Sequence, residues 1–414
     1  MRQVWLTGAA GAALMGSSPA SADTVTDWWE IANRYYLAGQ SASGPRLPDS
    51  ERVTARTALA MFEAVNSIDR GYQSYLGLLA GDPAASQDAA AATAAFQVLA
   101  HHYPANKAVL EDSYAMAMAS IPEGPPKAAG KQIGALSAQA AIAAGGIDPA
   151  IPQPPYRPRT TPGEWIGGAL PTLEPYWLAF KPWVTGVDKL RVAPPPPFAS
   201  ERYARDYEEV RRLGGRSSKE RTPEQTLIAR YRQGYDLSPM IRYASDRPGR
   251  RQVDNARLVA VYQMAMDDAV QAMIIEKIRY NYWRPITAIR NGDRDGNDGT
   301  QHDPEWVPLL GTPNFQEYPC GHCTAAAVQA EVLKLAASLP AGTPVRVAAG
   351  GNPNMVVQTV GSWDELVRQV SDSRIYGGVH YRFSNEAGEE IGRRVARIAV
   401  ETLMRPLPSP KSRR

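Results

Sequence analysis

The stretch from Val253 to Pro285, VDNARLVAVYQMAMDDAVQAMIIEKIRYNYWRP, carries a strong helical periodicity. Its apolar residues recur at three- and four-residue steps and form one face; they are Leu258, Val261, Tyr262, Ala265, Ala269, Ala272 and Met273. This spacing predicts a helix over 253–280. Lys277 and Arg284 are seven positions apart, which is about two helical turns, so their charged groups can face the same way.

The same periodicity recurs along most of the chain, outward from this stretch in both directions. It predicts further helical segments within 25–119, 132–144, 203–213, 223–235, 322–339, 363–374 and 385–404. No alternating pattern is long enough to build a large sheet. The sequence therefore predicts an all-α fold.

A long segment, about 149–200, interrupts the helical pattern. Its clustered prolines exclude regular helix, because proline lacks the amide donor and clashes with the preceding turn. Trp165, Trp177 and Trp183 lie among them, and their aromatic rings argue against a solvated linker. We therefore expect a long ordered loop packed over the helical body.

Composition excludes some classes of protein. The 414 residues include 45 Lys and Arg against 42 Asp and Glu, a formal charge of +3, which is too balanced for a general nucleic-acid binder. The first 22 residues have a short positive start, an apolar run and small residues at 20–22, which predicts a signal peptide and an exported, periplasmic or secreted protein. No later stretch reaches the ~18 uninterrupted apolar residues of a membrane-spanning helix.

Three short stretches combine cations, glycines and histidines: Lys277–Pro285, Tyr318–Cys323 and Ser373–His380. The second leads into a predicted helix, whose first amides are unpaired and attract anions, and Gly321 lets an anion approach the backbone. Taken singly, each stretch is explained by a solvated face or a helix start. Together, two arginines, one lysine, a helix N-terminus and two histidines predict a pocket for a highly charged tetrahedral oxyanion.

The three stretches resemble the signature shared by vanadium-dependent haloperoxidases and type 2 phosphatidic acid phosphatase-like acid phosphatases. That signature consists of Lys-x6-Arg-Pro, Pro-Ser-Gly-His and Ser-Arg-x5-His blocks. The matching residues here are Lys277, Arg284, Pro285, Pro319, Gly321, His322, Ser373, Arg374 and His380. Only the serine of the middle block differs, since Cys320 stands in its place. The likeness to soluble bacterial haloperoxidase-type sequences extends over most of the chain after the signal peptide.

The resemblance implies a cofactor, vanadate, in a site that phosphate can also occupy. Its oxygens would be held by Lys277, Arg284, Arg374, Cys320 and Gly321. The implied fold is a pair of packed helical bundles, with 23–245 as an N-terminal half that includes the long loop. A C-terminal bundle over 246–405 would carry the oxyanion site, and 406–414 would form a basic tail.

The resemblance also implies the roles of three ring side chains. His380 would be the axial vanadium ligand, or the nucleophile of a phosphatase, and His322 would be the acid–base group. Phe315 matches the aromatic residue seen seven positions before that histidine in chloroperoxidase-type members. The small-molecule substrates would be hydrogen peroxide and a halide, giving hypohalous acid with no redox change at vanadium.

Two departures from the family pattern bear on the site. A thiol at Cys320 is a weak donor, and the spacing to Cys323 allows a disulfide that would remove the donor altogether. Ser384 stands where many members have an aspartate that orients the histidine, and it is expected to be the N-cap of the last helix. Asp267 and Asp268 are then candidates to orient His380, because they are near Lys277 in sequence.

Three other functions stay open at this stage. The first is a periplasmic acid phosphatase that uses His380 as nucleophile, and the second is a non-catalytic oxyanion binder. The third is a thiol–disulfide oxidoreductase acting through Cys320 and Cys323. The third needs a thioredoxin-like sheet, which the helical pattern around it does not supply.

Overall fold

A computed structural model describes residues 23–41, 50–77, 81–146, 156–168, 175–349 and 356–408. Over these ranges the chain forms thirteen α-helices, a few short 3-10 turns and one small sheet, which confirms the predicted all-α class. The predicted signal peptide, 1–22, lies outside the described residues, as does the end of the predicted basic tail.

The first five helices pack against one another before the long loop. They are α1 (Thr24–Ser41), α2 (Ser50–Asp69), α3 (Gln87–His102), α4 (Lys107–Ala119) and α5 (Pro125–Ala143). The alanine-rich α3 lies between α2 and α5. Gly130 and Gly134 on α5 permit its close approach, because an added Cβ at either would lie 2.4 Å from a carbonyl oxygen of the segment 86–90.

The remaining helices follow the long loop. They are α6 (Glu201–Gly214), α7 (Pro223–Tyr231), α8 (Ser238–Ser245), α9 (Gln252–Tyr280), α10 (Pro285–Arg290), α11 (Gly321–Ala336), α12 (Trp363–Tyr376) and α13 (Arg382–Thr402). The closest pair is α11 and α13, where Gly388 and Gly392 leave room for carbonyl oxygens of α11 and its N-cap. The division at 245/246 stays a prediction; α6 and α7, which precede it, pack on α12.

Helix α9 joins the two groups of helices. It packs on α2 and α1 on one side and on α11 and α13 on the other. By length and composition it could cross a membrane, yet 94% of its most apolar window is buried inside the protein. Its position between two helical layers accounts for this composition, since a helix covered on several sides needs apolar residues around most of its circumference.

A small antiparallel sheet interrupts the helical architecture. Its strands are β1 (Tyr235–Asp236), β2 (Val345–Ala349) and β3 (Val356–Val360), in the order β1-β2-β3. Val345 pairs with Val360 and Ala349 with Val356. Strands of two to five residues are too short for an alternating pattern to reveal them in the sequence.

The described parts of the long loop pack on the helical body, as predicted. Trp165, Trp177 and Trp183 are all buried. The indole ring of Trp183 lies 4.8 Å from the Arg52 guanidinium, and its Nε1 donates to Asp267 Oδ2 at 2.6 Å. The backbone amides of Trp183 and Val184 donate to the carboxylate of Asp268 at 2.9 and 2.7 Å. The loop is therefore fastened to α9 by two adjacent buried carboxylates.

The ion pair between Arg52 and Asp267 gives the first testable prediction. Both side chains are fully buried with Nη2 and Oδ2 2.9 Å apart, and burial raises the pKa of Asp267 despite the nearby guanidinium. Arg52→Ala leaves this carboxylate without its cation, so we expect the free energy of unfolding to fall by about 3–5 kcal/mol. Urea unfolding followed by circular dichroism measures the loss.

The matched control for this prediction is the exposed arginine on the neighbouring helix, Arg34. Arg34→Ala should change the free energy of unfolding by less than about 0.5 kcal/mol. A similar small loss in Arg52→Ala would contradict the prediction and show that the ion pair does not hold the loop on α9.

Candidate oxyanion site

The three signature stretches meet where several helices begin or end. Lys277 lies in the last turn of α9, and Arg284 is the residue before α10. Arg374 lies in the last turn of α12, and His380 lies in the turn between α12 and α13. Each of these four side chains is at most 1% exposed. The fold therefore brings together, in the protein interior, cations that are up to 97 positions apart in the sequence.

Lys277 and Arg284 are tied to the segment that precedes α11. Lys277 Nζ donates to the carbonyl oxygens of Gln316 and Glu317, both at 2.8 Å. Arg284 Nε donates to the carbonyl oxygen of Phe315 at 2.8 Å. The Phe315 ring centroid lies 5.2 Å from Lys277 Nζ and 4.9 Å from the Arg284 guanidinium carbon. The aromatic residue predicted for the pocket thus contacts two of the predicted cations.

His380 is held from both sides of its ring. Its Nδ1 lies 2.8 Å from Glu317 Oε1, and its Nε2 lies 3.0 Å from Arg284 Nη1. A guanidinium can only donate, so Nε2 must be the acceptor and the ring proton must be on Nδ1. Burial, followed by the nearby cations, lowers the pKa of His380 well below its usual value. The ring is therefore neutral, with the Nε2 lone pair turned toward the cations.

The positive charge of the site exceeds its negative charge. Burial lowers the pKa of Lys277 well below its usual value and lowers the pKa of Arg284 to about 9 and of Arg374 to about 10. Glu317 is the carboxylate that opposes them, and burial raises its pKa to about 7. Burial makes the charged forms of these groups costly, because each charge has lost its hydration. An anion in the pocket would offset this cost.

Buried donors without partners identify where such an anion fits. Nε and Nη1 of Arg374 and Nη2 of Arg284 have no hydrogen-bond partner among the described residues. A tetrahedral oxyanion can accept a hydrogen bond from each of these donors. A guanidinium group often binds two oxygens of such an anion through two parallel hydrogen bonds. The residues present therefore fit vanadate or phosphate.

The start of α11 forms another wall of the site. Gly321 is the first residue of the helix and Cys320 is its N-cap, as the helix-start pattern predicts. Cys320 and Cys323 form a disulfide, and Cys320 Sγ accepts from the Cys323 amide at 3.1 Å. The predicted contact from the Cys320 side chain to an oxyanion is therefore wrong, because a sulfur in a disulfide has no proton to donate. The backbone donor at Gly321 does not depend on the thiol.

His322 lies at the partly exposed rim of the site, one residue into α11. Its Nε2 is 2.9 Å from the backbone carbonyl oxygen of Gln233. It is also near enough to His380 to lower the pKa of that ring. A titratable ring at the rim can exchange protons with solvent, which the fully buried His380 cannot do directly.

The expected orienting carboxylates of His380 and the expected N-cap of α13 are both wrong. Asp267 and Asp268 accept from Trp183, with Asp267 also paired to Arg52, so they fasten the long loop instead. Ser384 is not an N-cap, because α13 already begins at Arg382. Its hydroxyl lies 3.5 Å from the Glu317 carbonyl oxygen.

The cap of α13 is supplied by another helix. The amide of Phe383 donates to Asp206 Oδ2 on α6 at 3.0 Å. A carboxylate at this position also interacts favourably with the partial positive charge of the helix N-terminus. A cap from a remote residue leaves no local signal in the sequence.

Glu317 is the site residue that sequence reasoning missed. Its Oε1 accepts both from His380 Nδ1 and from the Tyr381 amide, the latter at 3.1 Å. A signal was present, since Glu317 is the acidic residue immediately before the Tyr-Pro-Cys-Gly-His stretch of the middle block. Proximity to the middle block was thus a better guide than proximity to the first block.

Comparisons with known proteins show which folds this chain is similar to. Residues 257–408 match a family model described as the VCPO second helical-bundle domain. A bacterial vanadium-dependent iodoperoxidase has a similar structure, with a TM-score of 0.75, 19% identity and coverage of 95% of this chain and 99% of that one. No curated protein sequence matches the chain.

A bacterial vanadium-dependent chloroperoxidase is also similar in structure. Its apo form has a TM-score of 0.63 and 17% identity, covering 85% of this chain and 92% of that one. Its holo form has the same TM-score and identity and covers 93% and 94% of the two chains. The fold of this chain is therefore similar to that of bacterial vanadium-dependent peroxidases.

The excess of buried positive charge predicts that a tetrahedral anion stabilises the protein. Inorganic phosphate at a hundred times its Kd should raise the free energy of unfolding by about 2.7 kcal/mol, because it binds only the folded state. Arg374→Ala removes charge-assisted hydrogen bonds worth about 1.5–3 kcal/mol, so it should weaken phosphate affinity roughly 10- to 100-fold. Thermal unfolding across a phosphate titration at constant ionic strength measures both effects.

Arg368 provides the control for this titration, since it is an exposed arginine on the same helix, α12. Arg368→Ala should keep the phosphate-dependent rise in unfolding temperature. If Arg374→Ala also keeps it, the anion binds elsewhere on the protein.

Proposed function

We propose that this protein is a haloperoxidase-type enzyme that oxidises a halide with hydrogen peroxide at a vanadate held in the buried pocket. The observation that carries the proposal is the neutral His380, fixed by Glu317 and surrounded by buried cations whose donors lack partners. The fold shared with bacterial vanadium-dependent peroxidases supports it.

In this proposal Lys277, Arg284 and Arg374 would hold the oxygens of vanadate, and the Gly321 amide would donate a further hydrogen bond. Bound vanadate supplies a Lewis acid that activates peroxide without changing its own oxidation state. The protein supplies the positive charge that offsets the anion. Because the pocket is buried, these charges are weakly screened and act strongly on the bound oxygens.

His380 would bind the central atom through Nε2, which requires Arg284 Nη1 to give up the hydrogen bond that it donates to this nitrogen. Glu317 accepts a hydrogen bond from Nδ1–H of His380. This hydrogen bond fixes the tautomer of the ring and increases the basicity of Nε2. His322 at the rim would carry protons between solvent and the pocket, as the acid–base group. Two histidines with different exposure would thus divide ligation and proton transfer between them.

Other features of the proposal rest on the sequence. From the signal-peptide pattern at 1–22 we propose that the protein is exported, to the periplasm or beyond. The disulfide at the start of α11 agrees with an oxidising compartment. It also replaces the family's serine with a group that cannot donate, so the oxyanion would have one side-chain contact fewer.

The second candidate is an acid phosphatase. The same Nε2 lone pair, oriented by Glu317, could attack phosphorus to form a phosphohistidine, with His322 protonating the leaving group. The two functions differ in what vanadate does: the peroxidase requires it, and the phosphatase is inhibited by it. A protein that binds phosphate but performs neither reaction is the oxyanion binder.

Halogenation of a dye by the full-length protein, loaded with orthovanadate and given peroxide and bromide or iodide, tests the proposal. We expect turnover only with vanadate. His380→Ala should reduce the rate by more than about 100-fold, because loss of groups that merely orient a ligand already costs about 10–100-fold. His101→Ala is the control, since His101 is exposed and lies on α3, among the helices that precede the long loop.

The outcomes separate the candidates. Vanadate-dependent halogenation that His380→Ala abolishes supports the peroxidase. Hydrolysis of an aryl phosphate that vanadate inhibits, with no halogenation, would assign the phosphatase instead. Unchanged turnover in His380→Ala would contradict both assignments of this histidine.

A further inference from the structure

A methionine thioether lies against the start of α11. Met273 is on α9, one helical turn before Lys277, so the two side chains share a face of that helix. An added Cβ at Gly321 would lie 3.4 Å from Met273 Cε and 3.8 Å from its Sδ. The thioether therefore lies beside the residue whose amide, in the proposed function, donates to the oxyanion.

This sulfur is shielded from solvent and lies beside Gly321. Met273 is 6% exposed. Oxidation of methionine by a dissolved oxidant follows access, so a side chain this buried should react slowly with bulk reagent. An oxidant formed in the pocket, in contrast, arises beside it. Both cysteines are joined in the disulfide, so neither offers a competing thiol.

We propose that Met273 is a site of self-modification, oxidised to methionine sulfoxide by the hypohalous acid formed in the pocket. This inference rests on the proposed peroxidase function. A sulfur lone pair attacks the oxygen of hypohalous acid, so that an S–O bond forms and the O–halogen bond breaks. Sulfur loses two electrons, the halogen leaves as halide, and the proton of the acid goes to solvent.

The product changes the pocket wall. A sulfoxide is polar and carries an oxygen that accepts hydrogen bonds, whereas the thioether is a weak acceptor. Beside Gly321 and one turn from Lys277, this oxygen competes with the oxyanion for the same donors. Oxidation of Met273 therefore weakens anion binding, and turnover limits itself.

Two other methionines provide internal controls in one experiment. Met266 lies two turns earlier on α9 and is 7% exposed, so it matches Met273 in helix and burial but lies away from Gly321. Met116 on α4 is 64% exposed and reports oxidant that has escaped into solution. The comparison of the three methionines therefore separates the effect of distance from the pocket on oxidation from the effect of solvent exposure.

The experiment treats the full-length protein with orthovanadate, iodide and limiting peroxide, and quantifies sulfoxide at each methionine by peptide mass spectrometry. Dye halogenation is measured on the same sample. We expect sulfoxide at Met273 to form at least about tenfold faster than at Met266, ahead of Met116, and only with vanadate present. Reagent hypoiodite added without vanadate and peroxide should reverse this order and oxidise Met116 first.

Met273→Leu tests the consequence. Over repeated additions of peroxide, this variant should lose activity at least about threefold more slowly than the wild type, each relative to its own initial rate, because leucine cannot be oxidised. Met266→Leu should lose activity at the wild-type rate.

Each outcome decides the inference. Halogenation with Met273 unmodified, or modified no faster than Met266, overturns it while the proposed function stands. Absence of halogenation in every arm overturns the function and the inference together. Oxidised Met273 with equal inactivation in Met273→Leu overturns the self-limiting effect.

Discussion

The site depends on positive charge that the fold buries without fully neutralising it. Lys277, Arg284 and Arg374 converge in the interior, and Glu317 is the carboxylate that faces them. The free energy of this arrangement is unfavourable unless an anion enters, because burial has removed the water that stabilised each charge. Holding these charges in the C-terminal helices therefore costs free energy of folding, and a bound oxyanion offsets that cost.

The same cations also organise the pocket walls. Lys277 and Arg284 donate to backbone carbonyls of 315–317, and Arg284 Nη1 also donates to the Val379 carbonyl at 2.8 Å. The segments before α11 and before α13 are thereby drawn onto the end of α9. Lys277 and Arg284 thus each have donors committed to the scaffold. Arg284 and Arg374 also have buried N–H donors without a hydrogen-bond partner in the described part of the chain.

Helix packing fixes the position of the start of α11, which forms one wall of the site. Gly388 on α13 lets the carbonyl of Cys320 approach so closely that an added Cβ would lie 2.3 Å from it. The disulfide closes the first turn of α11 at the same point. The helix N-terminus, with its unpaired amides, is therefore set rigidly beside His380, and a rigid donor needs little reorganisation when charge develops nearby.

The sequence by itself determined the helical class and the site residues of the three blocks. Periodicity is a local property, so α9, α12 and their neighbours were readable from spacing alone. The signature blocks likewise carry the cations and histidines in fixed local order, which is why Lys277, Arg284, Arg374 and His380 were all identified. The sequence did not predict the three short strands or the helices α8 and α10. These elements contain too few residues for a periodic pattern to be recognised.

Only the tertiary structure decided which groups act on one another across the chain. It assigned Glu317 to His380 over a separation of 63 positions, gave Asp267 and Asp268 to the long loop, and let Asp206 cap α13 in place of Ser384. It also joined Cys320 to Cys323, which removed a donor that the sequence left open. The physical reason is that a buried polar group must find a partner wherever packing places one, and packing is a property of the whole chain.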